Sequence, residues 1–187
     1  MSVMRRGANV ALTREIPNLT GVVLGVHWDA GAEQVLSENL VVATILCDAD
    51  HKVLSAEHFV FFNQLVSPDM SVNQLAEALG DDDEQIEIDL VAVPTEISRI
   101  VVVLYVNDGV ARRRVLGQLK ACRLRVLNLA DNTELVRSEN LAPLFTSETA
   151  VALGEVYRHQ DGWKFKVIGA GYTKGIAGIA ADYGIAL

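Results

Sequence analysis

The hydrophobic positions of the chain fall into short runs rich in β-branched and aromatic residues, and polar turns separate these runs. Runs of this length and composition are typical of strands rather than helices. We predict strands over residues 20–28, 40–47, 58–62, 85–93, 99–107, 121–129, 133–138, 150–159 and 163–171. Two intervening turns, Ala-Asp-Asn at 130–132 and Gln-Asp-Gly at 160–162, are typical of hairpins. The pattern predicts a mainly β fold, in which two antiparallel sheets pack as a β-sandwich.

Helix signals are confined to three short segments, which we expect at the periphery of the sandwich. Residues 71–79 combine a capping-box spacing with an apolar face that runs from Val72 to Leu79. Residues 111–120 are predicted to form a second short helix, and residues 173–185 a C-terminal helix weakened by its glycines. The sandwich is therefore expected to carry only a few short helices.

Length and composition indicate one folded domain over residues 1–187. Half of the residues are hydrophobic, which excludes global disorder, and the chain has no internal repeat or linker. No stretch approaches about 18 uninterrupted apolar residues, and the first ten residues lack the apolar core of a signal peptide. We therefore expect a cytoplasmic protein. Cys47 and Cys122 lie in apolar runs, so buried thiols are expected rather than a disulfide or a reactive site.

The sequence offers little catalytic chemistry. It contains no GxSxG, SxxK or HExxH motif, and no glycine-rich nucleotide-binding fingerprint follows a strand and opens a helix. Its four histidines, His27, His51, His58 and His159, have no zinc-ligand spacing. We therefore expect no catalytic residues and no enzymatic activity.

Charge is unevenly distributed along the chain, whose net charge is −8. No lysine or arginine occurs between Lys52 and Arg99, although this span holds ten acidic residues, whereas residues 112–125 hold six basic residues. An acidic chain is not expected to bind nucleic acid, because that binding depends on phosphate neutralisation. The first region should attract cations and the second an acidic partner. The candidate partner-binding residues are Arg112, Arg113 and Arg114.

The densest acidic segment, Asp81-Asp82-Asp83-Glu84, immediately precedes a predicted strand. Extending the alternation of that strand backwards places Asp82 and Glu84 on the core side. Because an unpaired buried carboxylate is costly, this placement implies either a turn or a bound cation. The residues alone leave two readings open, a solvated acidic turn and part of a metal site.

Read end to end, the sequence resembles the TerD family of tellurium-resistance and stress-response proteins. Similar blocks are the opening at 7–29, the aromatic segment and Ser-Pro-Asp turn at 48–72, and the acidic-to-strand segment. The most specific block is 147–185, with its Gly-Glu-x-Tyr-Arg-His, Trp-Lys-Phe and Gly-x-Gly-Tyr patterns. The resemblance implies a calcium-binding β-sandwich without an established enzymatic reaction, found with bacterial resistance and stress operons.

The resemblance also implies a set of calcium ligands, which this chain retains only in part. Asn63, Asp82, Asp83 and Glu84 stand at matching positions, whereas the family's Asp-Leu-Asp-Ala-Ser is replaced by the segment from Asn39 to Ala43. Within it Asn39 keeps an amide oxygen, but the second aspartate has become a valine. The family's glycine- and aspartate-rich loop is also replaced, by Asn-Gln-Leu-Ala-Glu-Ala-Leu. A residual site of Asn39, Asn63, Asp82, Asp83 and Glu84 should therefore bind calcium with reduced affinity or not at all.

We therefore expect a divergent, non-enzymatic stress-response or tellurite-resistance protein. The alternative is a metal-independent interaction scaffold in a resistance complex. Its expected partners are other stress and resistance proteins, with membrane association only through them. A third reading, an enzyme acting on tellurite or a thiol adduct, is disfavoured because both cysteines lie in predicted strands.

Overall fold

Two six-stranded sheets make up the protein in a computed structural model that describes residues 3–187. The strands are β1 (Val3–Met4), β2 (Asn9–Ala11), β3 (Gly21–Asp29), β4 (Leu40–Cys47), β5 (Phe59–Val60), β6 (Val72–Gln74), β7 (Glu84–Asp89), β8 (Arg99–Val106), β9 (Ala121–Asn128), β10 (Glu134–Ser138), β11 (Ala150–His159) and β12 (Gly162–Tyr172). The helices are α1 (Gln34–Glu38), α2 (Gly109–Arg112) and α3 (Ile176–Tyr183). Single 3₁₀ turns occur at Ala56–His58, Leu116–Gln118 and Ala142–Leu144.

The strand order confirms the predicted sandwich. The first sheet runs β1-β10-β9-β3-β7-β6 and the second β2-β12-β11-β8-β4-β5. All strand pairs within the sheets are antiparallel except β1 and β10, which are parallel. Each of the nine predicted strands overlaps an observed strand, and β1, β2 and β6 are additional. Both predicted hairpins are also present, between β9 and β10 and between β11 and β12.

The main core lies between the sheets, whereas the two outer faces differ. Leu24, Leu124 and Phe165 are fully buried in the main core, and burying such a side chain contributes about 1.5–3 kcal/mol. On the outer face of the second sheet, Ile179 and Tyr183 of α3 form a second apolar cluster with residues of β4, β5, β8 and β11. The outer face of the first sheet instead carries charged side chains from β3, β9 and β10.

The predicted helix over residues 71–79 is wrong. Residues 72–74 form an edge strand, in which Val72 and Gln74 pair with Ile88 and Ile86 of β7. Ser71, expected to cap a helix, instead donates from both its backbone N–H and its hydroxyl to Asp69. Tertiary pairing therefore overrides the local helical pattern.

The other two predicted helices have different outcomes. The C-terminal helix is confirmed as α3. The helix over 111–120 is wrong in its extent, because α2 ends at Arg112 and Arg113 adopts a left-handed conformation with φ of 56°. A separate 3₁₀ turn follows at Leu116–Gln118. None of the helices described within residues 3–187 has the length and apolar character needed to span a bilayer.

Because residues 72–74 form a strand, Val72 and Leu79 should contribute differently to the stability of the protein. Val72 is fully buried, whereas Leu79, on the same face of the rejected helix, is 63% exposed. We expect Val72→Ala to lower the free energy of unfolding by about 2 kcal/mol, because it leaves a cavity in the core. Leu79→Ala should change it by less than about 0.5 kcal/mol. Urea denaturation of both variants measures the difference, and equal losses would contradict the strand assignment.

Candidate functional site

The acidic segment turns before β7 begins. Gly80 has a φ of +72°, a conformation that glycine adopts without a steric cost. Residues 80–81 form a turn, and the backbone N–H of Asp83 then donates to the carbonyl of Val26 at 2.8 Å. The turn expected as one alternative for the acidic run is therefore present. As a result, consecutive acidic side chains contact different parts of the sheet.

The core-side placement of Asp82 by strand alternation is wrong, because the chain turns before β7: Asp82 lies across the outer face of the first sheet, and its side chain is only 3% exposed. The Arg125 guanidinium donates to it through Nε, 3.0 Å from both Oδ1 and Oδ2, and through Nη2, 2.9 Å from Oδ2. Gln85 Nε2 donates to Oδ2 at 2.8 Å. The hydrogen bond to Asp82 is the main reason that the pKa of Arg125 is raised. Arg125 therefore neutralises Asp82, although no lysine or arginine lies between residues 52 and 99 of the sequence.

Asp83 is directed to the end of β3. Its Oδ2 accepts the backbone N–H of Trp28 at 2.9 Å and lies 3.3 Å from Nδ1 of His27. The same imidazole nitrogen lies 2.8 Å from the backbone oxygen of Asp81. Asp83 therefore ties the acidic segment to the neighbouring strand.

Glu84 is the one member of the run on the core-facing side of the sheet, as its strand alternation predicts. It pairs with Val26 of β3, which belongs to the main core. Burial raises the pKa of the Glu84 carboxyl; the Gln74 amide, which donates to it at 3.4 Å, opposes this shift, and Asp83 adds to it. Gln74 Oε1 is buried, and no residue between 3 and 187 donates to it. A half-buried carboxylate and an unpaired amide oxygen therefore lie side by side.

These two side chains line a cleft of about 330 Å³ at one end of the sandwich. The cleft residues are Glu38, Asn39, Leu40, Val41, Val42, Phe62, Gln74, Glu84 and Asn107. Its polar members supply two carboxylates and three side-chain amides. Asn39 is held at the end of α1, where its Nδ2 donates to the carbonyl of Val35 at 2.7 Å.

The structure brings together only two of the five predicted calcium ligands. Asn39 and Glu84 share the cleft, whereas Asp82 and Asp83 make the separate contacts described above. Asn63 is exposed and does not line the cleft. Within residues 3–187, no group of three or more His, Cys, Asp or Glu side chains is arranged to hold a metal ion. Because calcium takes about six to eight oxygens, the five residues do not fit around one ion.

The cleft contains polar residues that the sequence did not single out. Glu38 is the last residue of α1, a helix that the sequence does not predict, and Asn107 follows β8 although the predicted strand over 99–107 includes it. The helix predicted over residues 71–79 does not place Gln74 beside Glu84, whereas β6 does. Strand alternation at residues 72–74 was the one signal that could have identified it.

The candidate partner-binding arginines lie at the end of α2. Arg112 and Arg113 are exposed and Arg114 is partly exposed. Their side chains form no ion pair within the described residues. The wider surface from Arg112 to Arg125 is not a single patch, because Arg125 is paired with Asp82.

Ser55, His58 and Asp69 lie near one another, but they do not form a catalytic triad. Ser55 Oγ lies 2.6 Å from Nδ1 of His58, but it also donates to Glu57 at 2.9 Å. His58 Nε2 is 3.8 Å from Asp69 Oδ2, which is too long for the hydrogen bond that orients a catalytic base. These residues connect the segment before β5 to the turn before β6.

The tail pattern that carried the family resemblance has a structural role here. Arg158 stacks 4.4 Å from the ring centre of Trp163. Its guanidinium also donates to the carbonyls of Val93, Pro94 and Ile97 at 2.8–3.0 Å. Arg158 therefore ties the β7–β8 connection to β11 and β12.

Comparison with known proteins gives one family. The profile of the TerD domain matches residues 1–183. The chain is 37% identical over 191 positions to the tellurium resistance protein TerD of Serratia marcescens, covering 99% of this chain and 98% of that protein. It is 38% identical over 187 positions to general stress protein 16U of Bacillus subtilis strain 168, with coverage of 97% and 96%. A solved TerD homologue from Streptomyces coelicolor has the same fold, with a TM-score of 0.64 at 17% identity over 87% of this chain and 96% of that chain.

Thiol reactivity tests the reading that this protein acts through cysteine. Both cysteines are fully buried and free, and burial raises the pKa of each thiol to about 12. Because the thiolate is the reactive form, we expect neither Cys47 nor Cys122 to react with Ellman's reagent in the native protein at pH 8. Both should react after denaturation in guanidinium. Rapid labelling of the native protein would contradict this prediction.

Proposed function

Because the chain belongs to the TerD family, we propose that it is a non-enzymatic stress-response protein of the tellurium-resistance type whose calcium binding is weak. The observation that carries the calcium proposal is the half-buried Glu84 carboxylate beside the unpaired Gln74 oxygen. A cation in the cleft would neutralise the first group and give the second an electrostatic partner. Family membership supports the stress-response role.

The composition of the cleft sets the expected strength of binding. Glu38 and Glu84 are its two carboxylates, and the remaining polar side chains are the neutral amides of Asn39, Gln74 and Asn107. Calcium affinity rises with the number of charged ligands and with the rigidity of the site. The side chain of Val41, which also lines the cleft, has no oxygen. We therefore place the dissociation constant for calcium at about 1 mM, at the weak end of the range for protein sites.

Calcium titration of the wild type and a Glu84→Gln variant tests this proposal. Without calcium, Glu84→Gln should raise the melting temperature, because it replaces a carboxylate whose ionised form is disfavoured by burial. With about 10 mM calcium, the wild type should gain about 3–6 °C, since ten times the dissociation constant stabilises by about 1.4 kcal/mol. Glu84→Gln should lose most of this gain. Isothermal titration and thermal unfolding measure the two effects.

Glu87→Gln is the matched control for this experiment. Glu87 belongs to the same strand but pairs with Val23 and Asn73 on the opposite face from Glu84. The variant removes one negative charge at a similar position in the chain while leaving the cleft unchanged. It should retain the calcium response. An unresponsive wild type, or equal responses in both variants, would rule out calcium binding in the cleft.

A metal-independent scaffold is the second candidate function, and the arginines at the end of α2 favour it. Arg112 ends α2 and Arg113 follows it; both are exposed, and neither forms an ion pair with residues 3–187. Exposed cationic side chains of this kind steer association with an acidic protein surface. We propose that the partners are other stress and resistance proteins.

Charge reversal tests the scaffold. Arg112→Glu/Arg113→Glu/Arg114→Glu should reduce co-purification of stress and resistance proteins at least tenfold, because a favourable charge contact becomes repulsive. The control is Arg5→Glu/Arg6→Glu/Arg14→Glu, which makes the same charge change at three exposed residues elsewhere. Quantitative mass spectrometry of affinity-purified protein measures the loss. Unchanged recovery with the first variant would exclude this surface.

A further inference from the structure

The outer face of the first sheet carries a continuous chain of alternating charges. Arg125 bridges Asp82 and Glu134, with Nη1 at 3.3 Å from Glu134 Oε1. Arg137 binds the same glutamate through Nε at 2.9 Å and Nη2 at 2.6 Å. Two negative and two positive groups therefore alternate, and their charges cancel.

The sheet is shaped to hold the first of these ion pairs. Arg125 and Gln85 are both direct cross-strand neighbours of Gly25 on β3. A β-carbon at position 25 would collide with the Asp82 carboxylate, so only glycine lets this group lie flat against the strand. Three neighbouring strands thus contribute to one site, since Gln85 belongs to β7 and Asp82 lies two residues before that strand.

Hydrogen bonds from Arg125 and Gln85 engage both carboxylate oxygens of Asp82. Its two oxygens accept three contacts from Arg125 and one from Gln85. A divalent cation could bind Asp82 only by displacing the guanidinium, which makes planar two-point contact with the carboxylate. This arrangement explains why the acidic segment, although it resembles a calcium loop, does not assemble one.

We infer that Arg125 takes the place of a bound cation in this loop: its guanidinium neutralises Asp82 and Glu134 and fastens the segment before β7 to β9. The loop is thereby closed without metal. This inference concerns the outer face of the sheet and is independent of cation binding in the cleft between the sheets.

Replacement of Arg125 tests the inference against a matched position on the same strand. Arg123 lies two residues away on the same face, opposite His27. No hydrogen bond or ion pair involves its side chain within residues 3–187. Arg125→Ala should lower the melting temperature by about 5 °C, because it leaves a buried carboxylate unpaired. Arg123→Ala should lower it by less than about 2 °C.

Two further measurements separate charge neutralisation from loss of packing. Adding Asp82→Asn to Arg125→Ala should recover at least half of the lost melting temperature, because the uncompensated charge is removed. Calcium chloride at about 10 mM should also raise the melting temperature of Arg125→Ala, because the vacated space exposes Asp82 and Glu134 to a cation. All variants are made in the Glu84→Gln background, so that calcium binding in the cleft does not contribute to the result.

The outcomes decide the inference even where a variant folds poorly. If Arg125→Ala is unfolded alone, recovery of the fold with calcium or with Asp82→Asn supports the role of Arg125 as a substitute cation. Equal effects of Arg125→Ala and Arg123→Ala would overturn it. A destabilised Arg125→Ala that neither calcium nor Asp82→Asn improves would overturn it as well.

Discussion

The ion pair between Asp82 and Arg125 determines where each acidic side chain of the following segment can lie. Because Asp82 is held flat over Gly25, the chain must turn at Gly80 and enter β7 at Glu84. From that point strand alternation places Glu84 on the core-facing side. The acidic run is therefore divided between an outer-face charge network, the end of β3 and the cleft between the sheets.

The cleft follows from the way in which the two sheets meet at one end of the sandwich. The second sheet contributes the start of β4 and the residue after β8, and the first sheet contributes Gln74 and Glu84. Its polar groups come from segments distant in sequence, and none of those segments forms a recognisable site alone. An inward-facing carboxylate with little compensation is unfavourable unless a cation or a proton neutralises it. That constraint is the physical basis of the cation site that we propose in the cleft.

Several motifs typical of the family hold the scaffold together. Arg158 and Trp163 connect the two longest strands to the β7–β8 connection, and Arg99 forms an ion pair with the buried Glu155 across neighbouring strands. Both contacts join strands to segments that are distant in the sequence. These contacts lie apart from the proposed cation cleft and from the arginines at the end of α2.

Short β-branched runs and their hairpin turns were sufficient to predict the mainly β sandwich, all nine major strands and the C-terminal helix, because strand length, alternation and turn chemistry are local properties. The burial of Cys47 and Cys122 and the inward direction of Glu84 also followed from local pattern. The sequence could not place Gln74 beside Glu84, because the spacing of apolar residues over 71–79 is typical of a helix. The strand β7, with which residues 72–74 pair, forms only in the folded protein. Nor could it pair Asp82 with Arg125, which are 43 positions apart. Which carboxylate pairs with an arginine and which lies in the cleft depends on long-range contacts, and only the tertiary arrangement of β3, β7 and β9 determines it.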